Sequence, residues 1–292
     1  MNNVGIVLAT KGRAFHLNKM LDSLLPALQG VSYEIIVIKG DFIDDTSKIL
    51  ANHGIQNVYS ESKYLGEGQH SWGELYNFGF KKCTSKWLMY CSDDIIFNKD
   101  CFKNAIEKLD KQPNTIAGGA FFYRQLPSDN LFKIYGVDYT YGRKLMINYG
   151  LIRSSAFWDV DGLEETYYKF YCADGDLCFK LFEAGNSIIL LPKCLITHNK
   201  GGGASSRLHY SQSKKDINNY RSKWQKYTKR YHSLNPRRVW LKDIEKLEEI
   251  KKGAQVEKIV EKIDWRRFRY IKEQIAYGLA DGDFPDRKEI WL

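Results

Sequence analysis

Short apolar runs alternate with stretches of helical periodicity along the first two thirds of the chain. Runs at Val4–Ala9, Glu34–Ile38 and Trp87–Cys91 have the length of buried strands, and Leu17–Leu28 and Phe102–Leu109 space their apolar residues as helices do. Strands that alternate with helices predict an α/β fold with a mostly parallel sheet. Ligands of such folds bind beyond the carboxyl ends of the strands, so polar residues at those ends are the first candidates for a site.

The pattern changes near residue 207. A strand is predicted at Ser187–Leu191, and a glycine-rich stretch follows at Lys200–Ser206. Apolar residues recur at helical spacing farther on, between Trp240 and Ile263. We therefore divide the chain into residues 1–206 and a mainly helical region, 207–292.

Composition narrows the class of protein. A content of 43% apolar and 14% aromatic residues suffices for a packed core. No apolar run reaches the roughly 18 residues that cross a bilayer, and the N-terminus has no basic region or cleavage site of a signal peptide. We therefore expect a soluble, cytoplasmic protein. The six cysteines form no C-x-x-C pair, and we expect buried free thiols.

The net charge of +9 comes from the C-terminal region, where residues 207–292 hold 22 of the 44 basic and 13 of the 35 acidic residues. Basic and aromatic residues interleave there, as at Arg221, Trp224 and Tyr227, which suits peripheral contact with the inner face of a membrane. A helical face that packs on the first region or forms a homodimer is an alternative that we weigh slightly ahead. Nucleic acid is the least favoured partner.

Two acids follow the predicted strand Trp87–Cys91, in the sequence Ser92-Asp93-Asp94. Adjacent carboxylates repel each other unless a cation neutralises them, and Mg²⁺ or Mn²⁺ with oxygen ligands also binds nucleotide phosphates. Such a pair also caps helices and turns, so the dipeptide alone leaves both interpretations open.

Asp174 and Asp176 stand at the start of a helix predicted at Asp176–Ala184. An acid at that place can cap the helix, as we expect of Asp176, or deprotonate a hydroxyl group, as we expect of Asp174. His198 precedes the glycine-rich stretch; a lone histidine is usually structural, but the basic residues that flank this stretch favour a site.

The order of these features resembles the family 2 glycosyltransferases of the GT-A fold over about residues 2–206. The matching segments, in chain order, are Val4–Arg13, Glu34–Ile38 with Asp44 and Thr46, Asn77, Ser92-Asp93-Asp94 (the DXD-type motif), Gly150–Arg153, Gly162–Glu165, Asp174–Leu177 (the ED-x-DL motif) and His198. Three positions depart from the family: Lys39 replaces a base-contacting acid, Cys91 the first acid of the longer acidic motif, and Ala173 the glutamate before the base. Asp41 is the candidate to replace the missing acid at Lys39.

The resemblance implies a Rossmann-like GT-A domain, mostly parallel and flanked by helices, with a C-terminal helical extension. Residues 1–110 would bind the nucleotide sugar and residues 111–206 the acceptor. It implies a nucleotide-sugar-dependent glycosyltransferase that uses Mn²⁺ or Mg²⁺, with UDP-sugars favoured and a glycan or lipid-linked glycan as the acceptor. A catalytically silent carbohydrate- or nucleotide-sugar-binding scaffold of the same fold is the alternative.

The resemblance also assigns residues to roles. Asp174 would be the general base of an inverting transfer, and the metal ligands would be Asp94, Asp93 and His198. The donor-binding residues would be Thr10, Lys11, Arg13, Asp41, Asp44, Asn77, Ser92, Asp93, Lys200 and Arg207. Beside these, the residues themselves suggest Trp72, Trp158, Asp176 and Tyr171 on the acceptor side, with packing in the core as the favoured alternative for Trp72.

Overall fold

The computed structural model describes residues 3–126, 135–140, 144–199, 206–228 and 237–240. The strands are β1 (Val4–Thr10), β2 (Tyr33–Lys39), β3 (Val58–Ser60), β4 (Trp87–Cys91), β5 (Ile95–Phe97), β6 (Ile116–Leu126), β7 (Gly136–Tyr139), β8 (Gly150–Arg153), β9 (Ser187–Asn199) and β10 (Arg237–Trp240). The helices are α1 (Ala14–Ala27), α2 (Thr46–Asn52), α3 (Glu61–Leu65), α4 (Trp72–Phe80), α5 (Cys101–Leu109), α6 (Ser154–Asp159), α7 (Ala173–Glu183), α8 (Ser206–Lys223) and α9 (Gln225–Thr228).

The N-terminal half of the sheet is parallel. Strands β3, β2, β1 and β4 lie side by side in that order, and Leu8 of β1 lies opposite Val37 of β2 and Cys91 of β4. The carboxyl ends of β1, β2 and β4 therefore meet at one edge, where ligands of α/β sheets bind.

Antiparallel pairings continue the sheet on the other side of β4. Strand β8 pairs antiparallel with β4 and β6, β6 pairs antiparallel with β7, and β7 pairs antiparallel with β10. Strand β9 runs parallel to β6 along most of its length, and its end pairs antiparallel with β5. This arrangement carries His198, near the end of β9, to a position opposite Ile95 of β5.

Alternating side chains of the strands build two cores on the two faces of the sheet. In β1, Val4, Ile6 and Leu8 join the core that is covered by α1, α2 and α5. Val7 joins the opposite core, which is covered by α4, α6, α7 and α8. Both faces are buried, which explains why the parallel strands appear in the sequence as continuous apolar runs.

The helices predicted before residue 200 are present, with boundaries that differ from the predicted ones by up to three residues. Helix α4 begins at Trp72 because Ser71 and Glu74 form a capping box, so it starts earlier than its apolar spacing alone indicates. Helix α7 begins at Ala173, and both Asp174 and Asp176 lie in its first turn. It ends at Glu183, one residue before the predicted end; Gly185 has a φ of +81°, which suits glycine, and the backbone N–H groups of Gly185 and Asn186 satisfy the last carbonyls.

The chain beyond residue 206 continues into the same core. Tyr220 of α8 and the neighbouring Trp224 are buried among residues of the first region. Strand β10 is extended, although the region 207–292 is predicted to be mainly helical. The helical repeat predicted between Trp240 and Ile263 lies outside the described residues except for its first residue. None of the described helices has the length and apolar character needed to cross a membrane.

Candidate active site

Two carboxylates occupy the edge where β1 and β4 end. Asp93 and Asp94 follow β4 after the single residue Ser92 and are both buried. The hydroxyl group of Thr10, the last residue of β1, donates a hydrogen bond of 2.7 Å to Asp93 Oδ2. Because β1 and β4 are neighbours, the register of the sheet itself brings Thr10 to Asp93.

Arg13 links the two carboxylates. Its Nε lies 3.1 Å from Asp93 Oδ1 and its Nη2 lies 2.8 Å from Asp94 Oδ2. The residue stands just before α1, and its guanidinium group presents its donors in a fixed fork, which holds both acids at once. Arg13 therefore offsets the repulsion between two acids that follow each other in the sequence.

Asp94 also meets His198. The imidazole Nε2 lies 3.4 Å from Asp94 Oδ2, and the hydroxyl group of Ser92 donates to Asp94 Oδ1. The backbones are joined as well, because the N–H of Asn199 donates to the carbonyl oxygen of Asp94 at 2.7 Å. Two segments about a hundred positions apart are thereby fixed against each other.

Burial and neighbouring charges shift the pKa values of the two acids in opposite directions. Burial raises the pKa of Asp93 to about 6, against the opposing effects of Arg13 and Thr10. Burial also acts to raise the pKa of Asp94, but the hydrogen bond and charge of His198, with Ser92 and Arg13, hold it well below its ordinary value. Asp94 is therefore the stronger acid of the pair and the one that ionises more readily.

The donor atoms around Asp94 fit a divalent cation. Mg²⁺ and similar ions are bound by one or two protein carboxylates together with substrate phosphates and water, and Asp94 with His198 supplies such a partial set. Among the described residues, Asp94 Oδ1 accepts from Ser92 alone and retains capacity for a further partner, whereas Oδ2 already meets Arg13 and His198. Asp93, the third predicted ligand, instead accepts from Thr10 and Arg13, and no group of three or more His, Cys, Asp and Glu side chains in the described ranges is arranged to hold a metal ion.

Other predicted donor-binding residues lie at the neighbouring strand ends. Lys11 follows β1 and is exposed. Asp41, shortly after β2, is exposed and accepts a hydrogen bond of 3.2 Å from Ser60. Asp44 accepts the backbone N–H of Thr46 at 3.0 Å and so orders the start of α2. The structure thus places Lys11 and Asp41 at the expected edge, while Asp44 has a local structural contact.

Asn77 has a structural role, which corrects its prediction as a donor-binding residue. It is 3% exposed. Its amide group donates to the carbonyl oxygen of Leu163 and to Glu165 Oε1, both at 2.8 Å, and its Oδ1 accepts the N–H of Leu163 at 3.0 Å. With its donors and acceptor engaged inside the protein, Asn77 fixes the turn at Gly162–Glu165 on α4 instead of contacting a ligand.

Asp174 lies in a cavity of about 220 Å³. The cavity lies between the loops around β7 and β8, the start of α7, and α8, and is lined by Asp138, Thr140, Met146, Asn148, Tyr171, Cys172, Asp174, Gly175, Ile217 and Tyr220. Burial raises the pKa of Asp174 to about 6; the N–H of Gly175 opposes this shift and the carboxylate of Asp138 adds to it. A half-buried carboxylate with a raised pKa in a cavity is a plain candidate for a general base.

Asp176 is a core residue, which corrects its prediction as an acceptor contact. It is completely buried. Its carboxylate accepts from Trp224 Nε1 at 2.7 Å and from Tyr168 Oη at 3.0 Å, and it pairs with Lys223 Nζ at 2.8 Å. Every one of these partners is a protein group, so Asp176 joins α7 to the C-terminal helices.

Of the three aromatic residues predicted on the acceptor side, one lines the cavity of Asp174 and two pack against other rings. Tyr171 is 40% exposed and lines the cavity of Asp174. Trp72 packs against Tyr76, with ring centroids 4.5 Å apart, and Trp158 packs edge-on against Phe157 at 4.8 Å. Among the described residues that line the cavity, neither tryptophan occurs. The two tryptophans therefore do not line this cavity, and their acceptor-side role stays a prediction.

Two predicted donor-binding residues lie in the glycine-rich stretch or just beyond it. Lys200 lies outside the described residues. Arg207 belongs to α8 by its backbone, and its side chain also lies outside what the structure describes.

A chain of contacts joins Asp94 to the cavity, and sequence reasoning missed it. The ring centroid of Tyr149 lies 5.9 Å from that of His198 and 5.0 Å from that of Tyr123. The hydroxyl group of Tyr123 donates a hydrogen bond to the carboxylate of Asp138, which lines the cavity. These residues lie on β6, on β7 and just before β8, where the sequence shows ordinary apolar and aromatic spacing. The pairing of the strands, which the spacing does not reveal, brings them together.

Comparison with known proteins agrees with this geometry. The model of the family described as glycosyl transferase family 2 matches residues 6–163. No curated protein sequence matches the chain. Among solved structures, a mannosyltransferase from Pyrobaculum calidifontis in complex with GDP-Man and Mn²⁺ is similar with a TM-score of 0.58 and 12% identity, over 77% of this chain and 64% of that one.

Two further structures share the fold. S. aureus TarS 1–349 in complex with UDP-GlcNAc gives a TM-score of 0.53 at 16% identity, over 74% of this chain and 66% of that one. Glucosyl-3-phosphoglycerate synthase from Mycobacterium tuberculosis, in complex with Mg²⁺ and UDP, gives a TM-score of 0.54 at 13% identity, over 76% of this chain and 79% of that one. The chain thus spans just under two thirds of the first two proteins, and at these identities the likeness shows the fold alone.

The fold of these neighbours confirms the predicted GT-A architecture. The family model covers more than half of the 292 residues, including both acids after β4. The chain therefore belongs to glycosyl transferase family 2.

Proposed function

We propose that the protein is a metal-dependent glycosyltransferase that moves a sugar from a nucleotide-sugar donor to a hydroxyl group of a glycan or lipid-linked glycan. One observation carries the proposal. The acidic pair Asp93 and Asp94 at the strand ends is connected, through His198, Tyr149, Tyr123 and Asp138, to a cavity that holds Asp174. A row of side-chain contacts thus links the proposed leaving-group site to the proposed base, which supports a single reaction site.

The donor side is formed by the ends of β1, β2 and β4. Thr10, Lys11, Arg13 and Asp41 lie there, and UDP-sugars are the favoured donors because UDP is common in the family. Lys39 stands where the family has a base-contacting acid, and Asp41 is the acid that follows it. The nucleotide is therefore the first property to measure.

A divalent ion, Mn²⁺ or Mg²⁺, would be held by Asp94 and His198 and would supply positive charge to the departing diphosphate. Arg13 keeps the carboxylates of Asp93 and Asp94 in fixed orientations through its two contacts of 3.1 and 2.8 Å. Preorganised charges of this kind lower the cost of reorganisation when the bond to the sugar breaks.

Asp174 is proposed to accept the proton of the acceptor hydroxyl group. The acceptor oxygen forms a bond to the anomeric carbon as the bond from that carbon to the diphosphate oxygen breaks, and its proton passes to the carboxylate. Attack from the face opposite the leaving group inverts the anomeric centre. The burial that raises the pKa of Asp174 to about 6 strengthens it as a base while leaving it ionised at neutral pH.

The decisive experiment is a calorimetric titration of wild type and Asp94→Ala with UDP-, GDP-, TDP- and CMP-sugars in the presence of Mn²⁺. We expect one donor to bind with metal dependence and Asp94→Ala to lose this binding. Hydrolysis of the bound donor then separates an enzyme from a silent scaffold, because a scaffold binds the donor without releasing the nucleotide. Wild-type protein that binds none of the donors contradicts the proposal.

We further propose that the protein acts in the cytoplasm and that its basic C-terminal region makes its contacts with partners. The excess of basic residues in 207–292 supports a peripheral contact with anionic lipids. Packing of a helical face of this region on the first region, or in a homodimer, is the competing proposal, which we weigh slightly ahead. Sedimentation of the protein with anionic and neutral vesicles, beside its mass in solution, distinguishes the two.

A further inference from the structure

Asp216 of α8 is a completely buried acid that binds a loop far from it in the sequence. Its carboxylate accepts the backbone N–H groups of Lys169 at 3.1 Å, Phe170 at 2.9 Å and Tyr171 at 3.0 Å. The amide group of Gln212, one turn earlier in α8, donates to it at 2.9 Å. Four donors thus surround one carboxylate, which matches the number of lone-pair sites it offers.

These contacts fix the backbone of the loop between Tyr168 and α7. Hydrogen bonds that involve an ionised acceptor are about twice as strong as neutral ones, and here they hold three successive N–H groups. Asn219, on the next turn of α8, donates to the carbonyl oxygen of Tyr167 at 2.8 Å and extends the same attachment. The loop has no strand partner in the described residues: α8 supplies the acceptor for its N–H groups, and the N–H of Trp72 donates to the carbonyl oxygen of Lys169 at 2.8 Å.

The attached loop leads directly into the cavity of Asp174. Tyr171 and Cys172 line this cavity, and Cys172 takes a φ of +72°, which a non-glycine residue adopts only when its surroundings enforce it. The hydrogen bonds to Asp216 end one residue before this strained position. Asp174 follows two residues later, so the placement of the base depends on the loop.

Helix α8 also forms part of the cavity wall. Ile217, next to Asp216, and Tyr220 both line the cavity. The volume of the cavity, about 220 Å³, is smaller than the roughly 300–1,000 Å³ of pockets that bind drug-sized ligands. The cavity therefore accommodates the reacting end of an acceptor and not a long chain.

We propose that α8 is part of the acceptor site and that Asp216 is its positioning residue, which holds Lys169–Tyr171 and through them the cavity around Asp174. This inference rests on the proposed function, because it assigns the cavity to the acceptor. It goes beyond that function in giving the C-terminal helix a role in acceptor binding, separate from any contact with a membrane or a second copy.

Asp216→Asn and Asp216→Ala test this inference. Asparagine keeps one acceptor oxygen but turns an N–H₂ group toward the loop, and alanine removes the acceptor altogether. We expect amide hydrogen exchange at Lys169–Tyr171 to accelerate about tenfold or more in both variants. We expect the acceptor KM for transfer to a panel of methyl glycosides to rise about tenfold, while binding of UDP with Mn²⁺ stays unchanged.

Glu34→Gln is the matched control. Glu34 is an acid of β2 that accepts the backbone N–H of Thr84 at 2.6 Å and the hydroxyl group of Ser85 at 2.5 Å. It lies near the amino end of its strand, opposite the edge that holds the site, and Glu34→Gln should lower stability without changing the acceptor KM. Thermal unfolding of the variants allows comparison at equal stability.

Unchanged exchange at Lys169–Tyr171, or faster exchange with an unchanged acceptor KM, overturns the inference. A loss of UDP binding equal to the loss of transfer also overturns it, because the effect would then be a general one. If the wild type binds UDP but transfers to none of the methyl glycosides, the proposed acceptor class fails. Hydrogen exchange still decides in that case whether Asp216 holds the loop.

Discussion

The carboxylate of Asp176 accepts a hydrogen bond of 2.7 Å from the indole N–H of Trp224, across 48 positions of the chain. Tyr168 and Lys223 complete its surroundings, so the second acid of the Asp174-x-Asp176 motif holds the C-terminal helices to α7. Two acids separated by one residue thus have different roles: Asp174 lines the cavity, and Asp176 joins α7 to the C-terminal helices.

Asp176→Ala is expected to lower the free energy of unfolding by about 3–5 kcal/mol. The substitution leaves the buried donors of Trp224 and Tyr168 without their acceptor and removes the partner of Lys223. Urea-induced unfolding measures the effect. Unchanged stability together with a raised acceptor KM would instead support a role of Asp176 in acceptor binding.

Asp174→Asn is expected to reduce transfer by about 10²–10⁴-fold, which is the usual contribution of a general base. Binding of the nucleotide sugar should persist, because Asp174 lies in the cavity and not at the strand ends. Asp159→Asn, at the exposed end of α6, is the matched control and should keep full activity. Initial rates measure the transfer, and calorimetry measures the affinity for the nucleotide sugar. A transfer rate that is unchanged in Asp174→Asn excludes Asp174 as the base.

The pH dependence of transfer should report the ionisation of Asp174. Its pKa is raised to about 6 by burial, and only the ionised form accepts a proton. The value of kcat/KM for the acceptor should therefore rise as the pH increases through about 6 and be level above it. Asp174→Asn should remove this inflection from its residual rate. A profile that falls as the pH increases through 6 contradicts the assignment.

Removal of divalent metal should abolish activity and leave the fold intact. The oxygens of Asp93 and Asp94 accept hydrogen bonds from Thr10, Ser92 and Arg13, so protein groups already hold the two carboxylates in place without a metal ion. Chelation should then leave the midpoint of thermal unfolding unchanged, and added Mn²⁺ should restore transfer. Unfolding on chelation would show instead that the ion is a structural element.

The sequence predicts the donor side better than the acceptor side, for a physical reason. The proposed donor side consists of residues at the ends of parallel strands, such as Thr10 and Asp93, and apolar runs reveal where such strands end. The register of neighbouring strands then brings those ends together without further information. Local pattern therefore located the residues at the ends of β1 and β4, and their role in donor binding stays a prediction.

The acceptor side depends on contacts that no local pattern reveals. Asp216 occurs in a polar stretch of the sequence and is completely buried in the structure. Asn77 and Asp176 match family motifs, and both are engaged by the protein itself. A motif identifies residues that matter but does not separate those that touch a ligand from those that hold the backbone.

The position of Asp216 has a consequence during synthesis of the chain. Its carboxylate follows the amides that it binds by 45 to 47 positions, so these hydrogen bonds can form only after α8 has left the ribosome. The first four parallel strands, in contrast, are complete by Cys91 and can pair much earlier. Because translation proceeds at about 5–20 residues per second, the nascent chain spends several seconds with a formed donor edge and an unattached acceptor loop.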